Sequence, residues 1–148
     1  MTTFFDNLYN RFHELHTELI KTVDGLSIEV LDWVAGSEIN SIAVLVVHLT
    51  GAERYWVGDV ALGEDSTRVR DEEFEVHSMT TDELKARLYA VDEYTRRALT
   101  RFSLTDLESD RTSPRDDKTF TVGWCLMHAL EHTALHLGHV QLTRQLWE

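Results

Sequence analysis

Four long segments of this 148-residue chain carry apolar residues at the three- and four-residue spacing of an amphipathic helix. The chain contains one proline and seven glycines, so few residues interrupt these segments. The first segment runs from about Thr3 to Asp24. The second begins at Asn40 or Ser41 and continues to about Leu62. Uninterrupted helical patterns of this length predict an all-α fold.

The third and fourth segments carry start signals of their own. Thr80-Thr-Asp-Glu83 has the spacing of a capping box, and the apolar pattern behind it continues to Phe102. The fourth segment begins between residues 119 and 121 and runs towards Gln145. Both segments are therefore predicted to be long helices.

The connections between the helices differ in length. A short helix with Ser27 as its cap is predicted over residues 27–34, and a short helical turn over residues 105–107. Two longer connections span residues 63–79 and 104–118, and connections of this length often flank or cover a site. Four amphipathic helices with two longer crossings predict a four-helix bundle that forms one domain over residues 1–148.

The charge and composition of the chain exclude several classes of function. The formal net charge of −12 disfavours binding to nucleic acid or to an anionic membrane surface. The longest apolar runs fall short of the ~20 residues that a membrane span needs. A single cysteine, Cys125, excludes an internal disulfide, and we expect it to serve as core packing. The N-terminus lacks the pattern of a signal peptide, so a cytoplasmic location is expected.

The fourth helical segment holds four of the eight histidines, at positions 128, 132, 136 and 139. At about 100° per residue these four side chains lie within an arc of roughly 80°. Burying so many imidazoles without partners would be costly, whereas a metal ion satisfies several at once. The arc adjoins an apolar stripe, which predicts that the histidines point into the bundle. The stripe consists of Trp124, Leu135, Leu142 and Leu146.

A single helix cannot supply all the ligands of one ion. The rise of about 1.5 Å per residue separates His128 from His139 by roughly 16 Å, so one ion can bind only a neighbouring pair. That pair is 128 with 132, 132 with 136, or 136 with 139. A third ligand must come from another helix, and His48, among apolar residues of the second segment, is the best candidate.

The remaining histidines are predicted to have no role at a metal. His13 and His16 lie on one face of the first helix beside acidic residues, which predicts a solvated or rim position. His77 lies in an acidic connection. The run Asp71-Glu-Glu-Phe-Glu75 in the same connection is predicted to be a solvated loop.

Two stretches together resemble the DinB/YfiT-like superfamily of metalloenzymes. The first is Asn40-Ser-Ile-Ala-Val-Leu-Val-Val-His48-Leu-Thr-Gly-Ala-Glu-Arg-Tyr-Trp56. The second is His128-Ala-Leu-Glu-His132-Thr-Ala-Leu-His136-Leu-Gly-His139. Helix order and loop positions agree with that family over nearly the whole chain.

The resemblance implies an up-up-down-down four-helix bundle, often dimeric, with a divalent metal ion held by three histidines. Carried over position by position, the ligands are His48, His132 and His136. His128 matches a family histidine that is not usually a ligand, and His139 stands where glutamine is commoner. Some relatives place a glutamate in this part of the helix, where Glu131 is close, and a small shift in register would change the assignment of His132.

Three imidazole ligands leave positions open for a substrate, and imidazole suits both zinc and nickel. The resemblance implies a thiol-dependent S-transferase or isomerase with a low-molecular-weight thiol as cosubstrate and a second small-molecule substrate. A metal-dependent hydrolase, a non-catalytic metal-binding stress protein and a dimeric scaffold are the alternatives. No catalytic residue is assigned. The candidates nearest to the site in the sequence are Glu53, Tyr55, Asp59, His128 and Glu131.

Overall fold

A computed structural model describes all of residues 1–148, and its secondary structure is mainly helical. The α-helices are α1 (Thr3–Val23), α2 (Ile28–Asp32), α3 (Ile42–Arg54), α4 (Thr81–Leu99) and α5 (Val122–Trp147). A π-helical segment, Tyr55–Val60, continues α3, and two 3₁₀ turns cover Arg70–Phe74 and Leu104–Glu108. Two short antiparallel strands, β1 (Asp110–Thr112) and β2 (Thr119–Thr121), precede α5.

The predicted starts of the helices are confirmed. The side chains of Ser27, Ser41 and Thr121 each accept a hydrogen bond from a backbone N–H in the first turn of their helix. Thr80 and Glu83 form the complete capping box at the start of α4. The β-hairpin was not predicted, because its strands are only three residues long. None of the helices combines the length and the apolar character that crossing a membrane requires.

Two hydrophobic clusters, one at each end of the molecule, define the directions of the four long helices. One cluster contains Phe5 from the start of α1 and Trp56 from the extension of α3. It also contains Leu99 from the end of α4 and Val122 from the start of α5. The other joins the end of α1, the starts of α3 and α4, and the second half of α5. Thus α1 and α5 run one way, and α3 and α4 run the other way.

The predicted all-α four-helix bundle is confirmed, but its helices follow an up-down-down-up order instead of up-up-down-down. The connection from α3 to α4, residues 61–80, explains the difference. Extended chain spans about 3.3 Å per residue and helix about 1.5 Å, so this connection is long enough to travel the whole length of α4. It returns the chain to the end where α3 began, and the two helices are parallel.

The apolar stripe of α5 does not face the core. Leu135, Leu142 and Leu146 are more than half exposed, and Trp124 is 38 % exposed. The core face of α5 lies on the other side of the histidine arc and includes Cys125, Ala129, Thr133, Leu137 and Val140. The histidines therefore lie between the buried face of α5 and an exposed apolar face.

Candidate metal centre

His48, His132 and His136 come together between α3 and α5, with one ring nitrogen of each within 4.8 Å of the others. The Nε2 atom of His132 lies 3.2 Å from Nε2 of His48 and 3.2 Å from Nε2 of His136. Of the three pairings left open by the sequence, the structure therefore brings His48 next to the pair 132 with 136.

Helix geometry explains this convergence. His132 and His136 are one turn apart, and their ring centroids are separated by 4.3 Å on the same face of α5. The antiparallel α3 lies directly alongside, with Trp56 at the level of His128 and His48 at the level of His132. His48 is 8 % exposed, so its ring is almost fully inside the bundle.

The arrangement of the three rings fits a bound cation better than it fits direct contacts between the rings. In a tetrahedral site with metal–nitrogen bonds of about 2.0–2.1 Å, the nitrogens lie about 3.3–3.4 Å apart, close to the two observed separations. Nδ1 of His132 is buried and has no hydrogen-bond partner. Burial and the neighbouring histidines lower the pKa of His132 to about 3 and that of His136 to about 4. Both rings are therefore neutral near pH 7, which is the form that binds a metal ion.

Glu73, in the 3₁₀ turn Arg70–Phe74, contacts the ring nitrogen of His48 that does not face the cluster. Its Oε1 atom lies 3.0 Å from Nδ1 of His48. Arg68 donates two hydrogen bonds of 2.8 Å to the same carboxylate. Burial opposes ionisation of Glu73, but the hydrogen bonds from Arg68 and His48 outweigh it and hold its pKa below the usual value. An ionised carboxylate on Nδ1 leaves Nε2 of His48 as the free nitrogen that faces α5.

A glycine allows this close approach of the loop to α3. A Cβ atom at Gly51 would lie 2.1 Å from Oε2 of Glu73 and 3.4 Å from Nε of Arg68. Any larger residue at position 51 would therefore displace the carboxylate that contacts His48.

Aromatic rings surround the histidine cluster. The ring of Phe74 lies 5.0 Å from the ring of His48. On α5, His128 stacks on Trp124 with ring centroids 4.7 Å apart, and it meets the edge of Trp56 at 4.9 Å. His128 therefore belongs to an aromatic stack and not to the cluster.

The other residues near the cluster on α5 lie outside it. Nδ1 of His139 is 3.2 Å from Nδ1 of His136, on the side away from the cluster nitrogens, and His139 is exposed. Glu131 is also exposed. In this structure the position next to His48 is therefore taken by His132 and not by Glu131.

The prediction of a solvated or rim position is wrong for His16. His16 is 1 % exposed, and its ring lies 2.8 Å from both Glu53 and Asp92. Burial alone would lower its pKa, but the negative charges of the two carboxylates outweigh burial and raise the pKa to about 9. The partners come from α3 and α4, so the local sequence around His16 gives no sign of them. His13 is exposed, as predicted.

Glu53 is excluded as a base at the cluster because its oxygens are already engaged. Besides His16, it accepts hydrogen bonds from Thr95 and Thr133 at 2.6 and 3.0 Å. The other candidates are engaged as well. The hydroxyl of Tyr55 lies 2.7 Å from that of Ser113, and Asp59 accepts hydrogen bonds from Arg54 and Ser66.

Cys125 is fully buried, and burial raises its pKa to about 11. This agrees with the predicted packing role. His77 is exposed, and its only side-chain contact of note is with the neighbouring Ser78. Neither residue contacts the histidine cluster.

Sequence reasoning missed Glu73 by treating residues 71–75 as a solvated loop, and for Glu73 that prediction is wrong. Its neighbours Asp71, Glu72 and Glu75 are exposed, whereas Glu73 is 6 % exposed. The one local signal was Phe74, because an aromatic residue in an acidic run favours a turn that packs against the bundle.

The sequence was also compared with known proteins. The model of a family described as MST, mycothiol-S-transferase, matches residues 8–148. The matched range contains all three clustered histidines, Glu73 and Arg68. No curated protein sequence matches the chain.

Proposed function

The chain belongs to the mycothiol-S-transferase family, and from that premise we propose that it is a divalent-metal-dependent thiol S-transferase. Its cosubstrate is a low-molecular-weight thiol, namely mycothiol, and its second substrate is an electrophilic small molecule. The observation that supports this proposal is the convergence of Nε2 atoms from His48, His132 and His136, which we propose as the metal ligands.

The donor set fits the proposed chemistry. Three neutral imidazoles leave the full charge on the ion and at least one coordination position for a substrate. A divalent ion at this position would lower the pKa of a coordinated thiol. In the transfer the thiol proton goes to solvent, the sulfur forms a bond to the electrophilic carbon, and the leaving group departs with its electron pair.

The protein's own residues prepare the site. Glu73 and Arg68 orient His48, and burial keeps His132 and His136 neutral. The rings of Phe74, Trp56 and Trp124 line the surroundings with apolar surface, which suits an uncharged electrophilic carbon and excludes part of the water. We propose zinc or nickel as the ion, because both bind imidazole well.

We also propose that the protein is a cytoplasmic homodimer. The exposed apolar face of α5 includes Leu135, Leu142 and Leu146, and a second copy of the chain would cover it. Reduced low-molecular-weight thiols belong to the cytoplasm. Sedimentation of the wild-type protein and of Leu135→Glu tests the dimer, and a monomeric wild type contradicts it.

Metal content tests the core of the proposal. We expect elemental analysis of the purified protein to find about one zinc or nickel ion per chain, and His48→Ala to lose most of it. His128→Ala is the matched control, because it removes a histidine of α5 that stacks on Trp124 outside the cluster. Equal metal content in His48→Ala and the wild type would remove His48 from the site.

Thiol binding separates an enzyme from a metal-storage protein. After cobalt substitution, we expect mycothiol to add a sulfur-to-cobalt absorption band and the protein to accelerate thiol transfer to an alkylating electrophile. A cobalt protein whose spectrum does not respond to the thiol, and which accelerates no transfer, would support the non-catalytic alternative.

A further inference from the structure

Three arginines line one cavity beside the histidine cluster, although acidic residues outnumber basic ones by 26 to 14 in this chain. The cavity has a volume of about 640 Å³. Its lining consists of Tyr55, Arg68, Val69, Arg70, Asp71 and Arg115. Placing like charges side by side is unfavourable unless something negative compensates them, and Asp71 is the only acidic residue in this lining.

Two of the arginines lie against one aromatic ring of the bundle. The guanidinium groups of Arg68 and Arg115 both lie against the ring of Tyr55, at 5.4 and 5.8 Å from its centroid. The hydroxyl of Tyr55 also accepts a hydrogen bond from the backbone N–H of Arg115 and contacts Ser113. The turn that carries Arg115 is therefore fixed to the continuation of α3.

One of these arginines forms no ion pair, and another forms only a long one. Arg70 lies over the ring of Phe74 at 5.0 Å and forms no ion pair. The nearest carboxylate to the guanidinium of Arg115 is that of Asp116, at 4.0 Å, and the side chain of Arg115 is 49 % exposed. Arg68, by contrast, is committed to Glu73.

The cavity adjoins the histidine cluster through two separate contacts. Arg68 reaches His48 through the carboxylate of Glu73. Arg70 reaches His48 through the ring of Phe74, which lies 5.0 Å from the imidazole. A ligand in the cavity would therefore be separated from His48 by two side chains, Arg68 and Glu73 on one path and Arg70 and Phe74 on the other.

We propose that this cavity binds the carboxylate group of a small molecule, with Arg70 and Arg115 as its main contacts. Resting on the proposed function, this molecule is the electrophile that accepts the sulfur. Guanidinium groups match the planar geometry of a carboxylate. A carboxylate is favoured over a doubly charged phosphate because Asp71 adds a negative charge to the lining. The arginines also offset the repulsion between an anionic electrophile and an ionised thiol.

Binding is tested first, without thiol or turnover. We expect calorimetry to detect benzoate bound at least about tenfold more tightly than benzamide, its neutral analogue. Arg70→Gln and Arg115→Gln should each weaken benzoate binding by about tenfold. Lys118→Gln is the matched control, because Lys118 lies in the same turn but does not line the cavity. Equal affinity for the two compounds, or an equal loss in Lys118→Gln, would overturn the proposal. Phenylphosphonate bound more tightly than benzoate would overturn the choice of carboxylate.

Turnover is tested with iodoacetate and iodoacetamide, which share a leaving group and differ in charge. In either reaction sulfur forms the bond to carbon, iodide leaves with its electron pair, and the thiol proton goes to solvent. We expect Arg115→Gln to lower kcat/KM for iodoacetate about tenfold more than for iodoacetamide.

The binding and turnover tests distinguish a failure of the proposed carboxylate site from a failure of the proposed transferase function. Transfer to iodoacetamide without any preference for benzoate overturns the carboxylate site and leaves the proposed function standing. Selective binding of benzoate without transfer supports the site and counts against the transferase.

Discussion

Glu73 holds His48 by a buried contact of 3.0 Å between Oε1 and Nδ1, and the two residues come from different elements, 25 positions apart. The contact fixes the orientation of the imidazole, because rotation of the ring would break the hydrogen bond. Arg68 fixes the carboxylate in turn. The 3₁₀ turn of the long connection is therefore part of the candidate metal centre.

Replacing Glu73 by Gln should weaken metal binding by roughly tenfold to a hundredfold, the usual effect of losing such a supporting contact. The amide would still reach Nδ1 but would lack the charge that makes the imidazole a better donor. Competition with a chromophoric chelator measures the affinity. Glu72→Gln is the control, because Glu72 is the exposed neighbour in the same turn. Indistinguishable affinities for the two variants would refute the role of Glu73.

Gly51→Ala should weaken metal binding in the same direction as Glu73→Gln. The added methyl group would occupy the position of the Glu73 carboxylate, at 2.1 Å from its Oε2 atom. Gly138→Ala on α5 is the control, because nothing lies within 4 Å of its Cβ position. This control should raise the free energy of unfolding by up to about 1 kcal/mol through helix propensity and leave affinity unchanged. Both quantities can be measured by thermal unfolding and chelator competition. Wild-type affinity in Gly51→Ala would contradict the prediction.

The metal-free protein should lose stability as the pH rises from about 6.5 to 9. The folded protein keeps a proton on His16, because its pKa of about 9 exceeds the ordinary histidine value of 6.5. This stabilisation is therefore complete below pH 6.5 and disappears as the pH passes 9. The loss should total about 3 kcal/mol. Urea unfolding at several pH values measures it.

His16→Gln should remove this pH dependence, whereas His13→Gln should keep it. His13 also contacts Asp92 but is exposed, so it provides a matched histidine outside the buried network. A similar loss between pH 6.5 and 9 in wild type and His16→Gln would assign the effect to another group.

Cys125 should not take part in thiol transfer. The side chain is fully buried, and burial raises its pKa to about 11, so little thiolate exists near neutral pH. We expect an aromatic disulfide reagent to label it only after unfolding, and Cys125→Ala to keep its transferase activity. Rapid labelling of the native protein, or loss of activity in a folded Cys125→Ala variant, would show that the thiol is accessible or needed.

The helices could be predicted from the sequence because their signals are local. Apolar spacing and the caps at Ser41, Thr80 and Thr121 depend on neighbouring residues only. One helical turn allows three neighbouring histidine pairs on α5, and the family resemblance selected His132 with His136. His48 was selected as the third member by its apolar surroundings and by family resemblance, and the structure brings the three rings together.

The missed features all depend on long-range packing. A helical projection places the stripe of Leu135, Leu142 and Leu146 next to the histidine arc, but it does not indicate which side of the arc meets the core. Glu73 and His16 are buried by partners 25 to 76 residues away. The helix directions depend on the path of the 61–80 connection, which carries no periodic pattern.

Glu53 receives hydrogen bonds or ion contacts from three other helices, through His16 of α1, Thr95 of α4 and Thr133 of α5. A slide of any of these helices by one residue, about 1.5 Å, would remove one hydrogen-bond partner of this buried carboxyl group. Thr133 directly follows His132. Competing alignments of the bundle are therefore penalised beside His132, so the packing of the helices themselves favours the convergence of the three histidines.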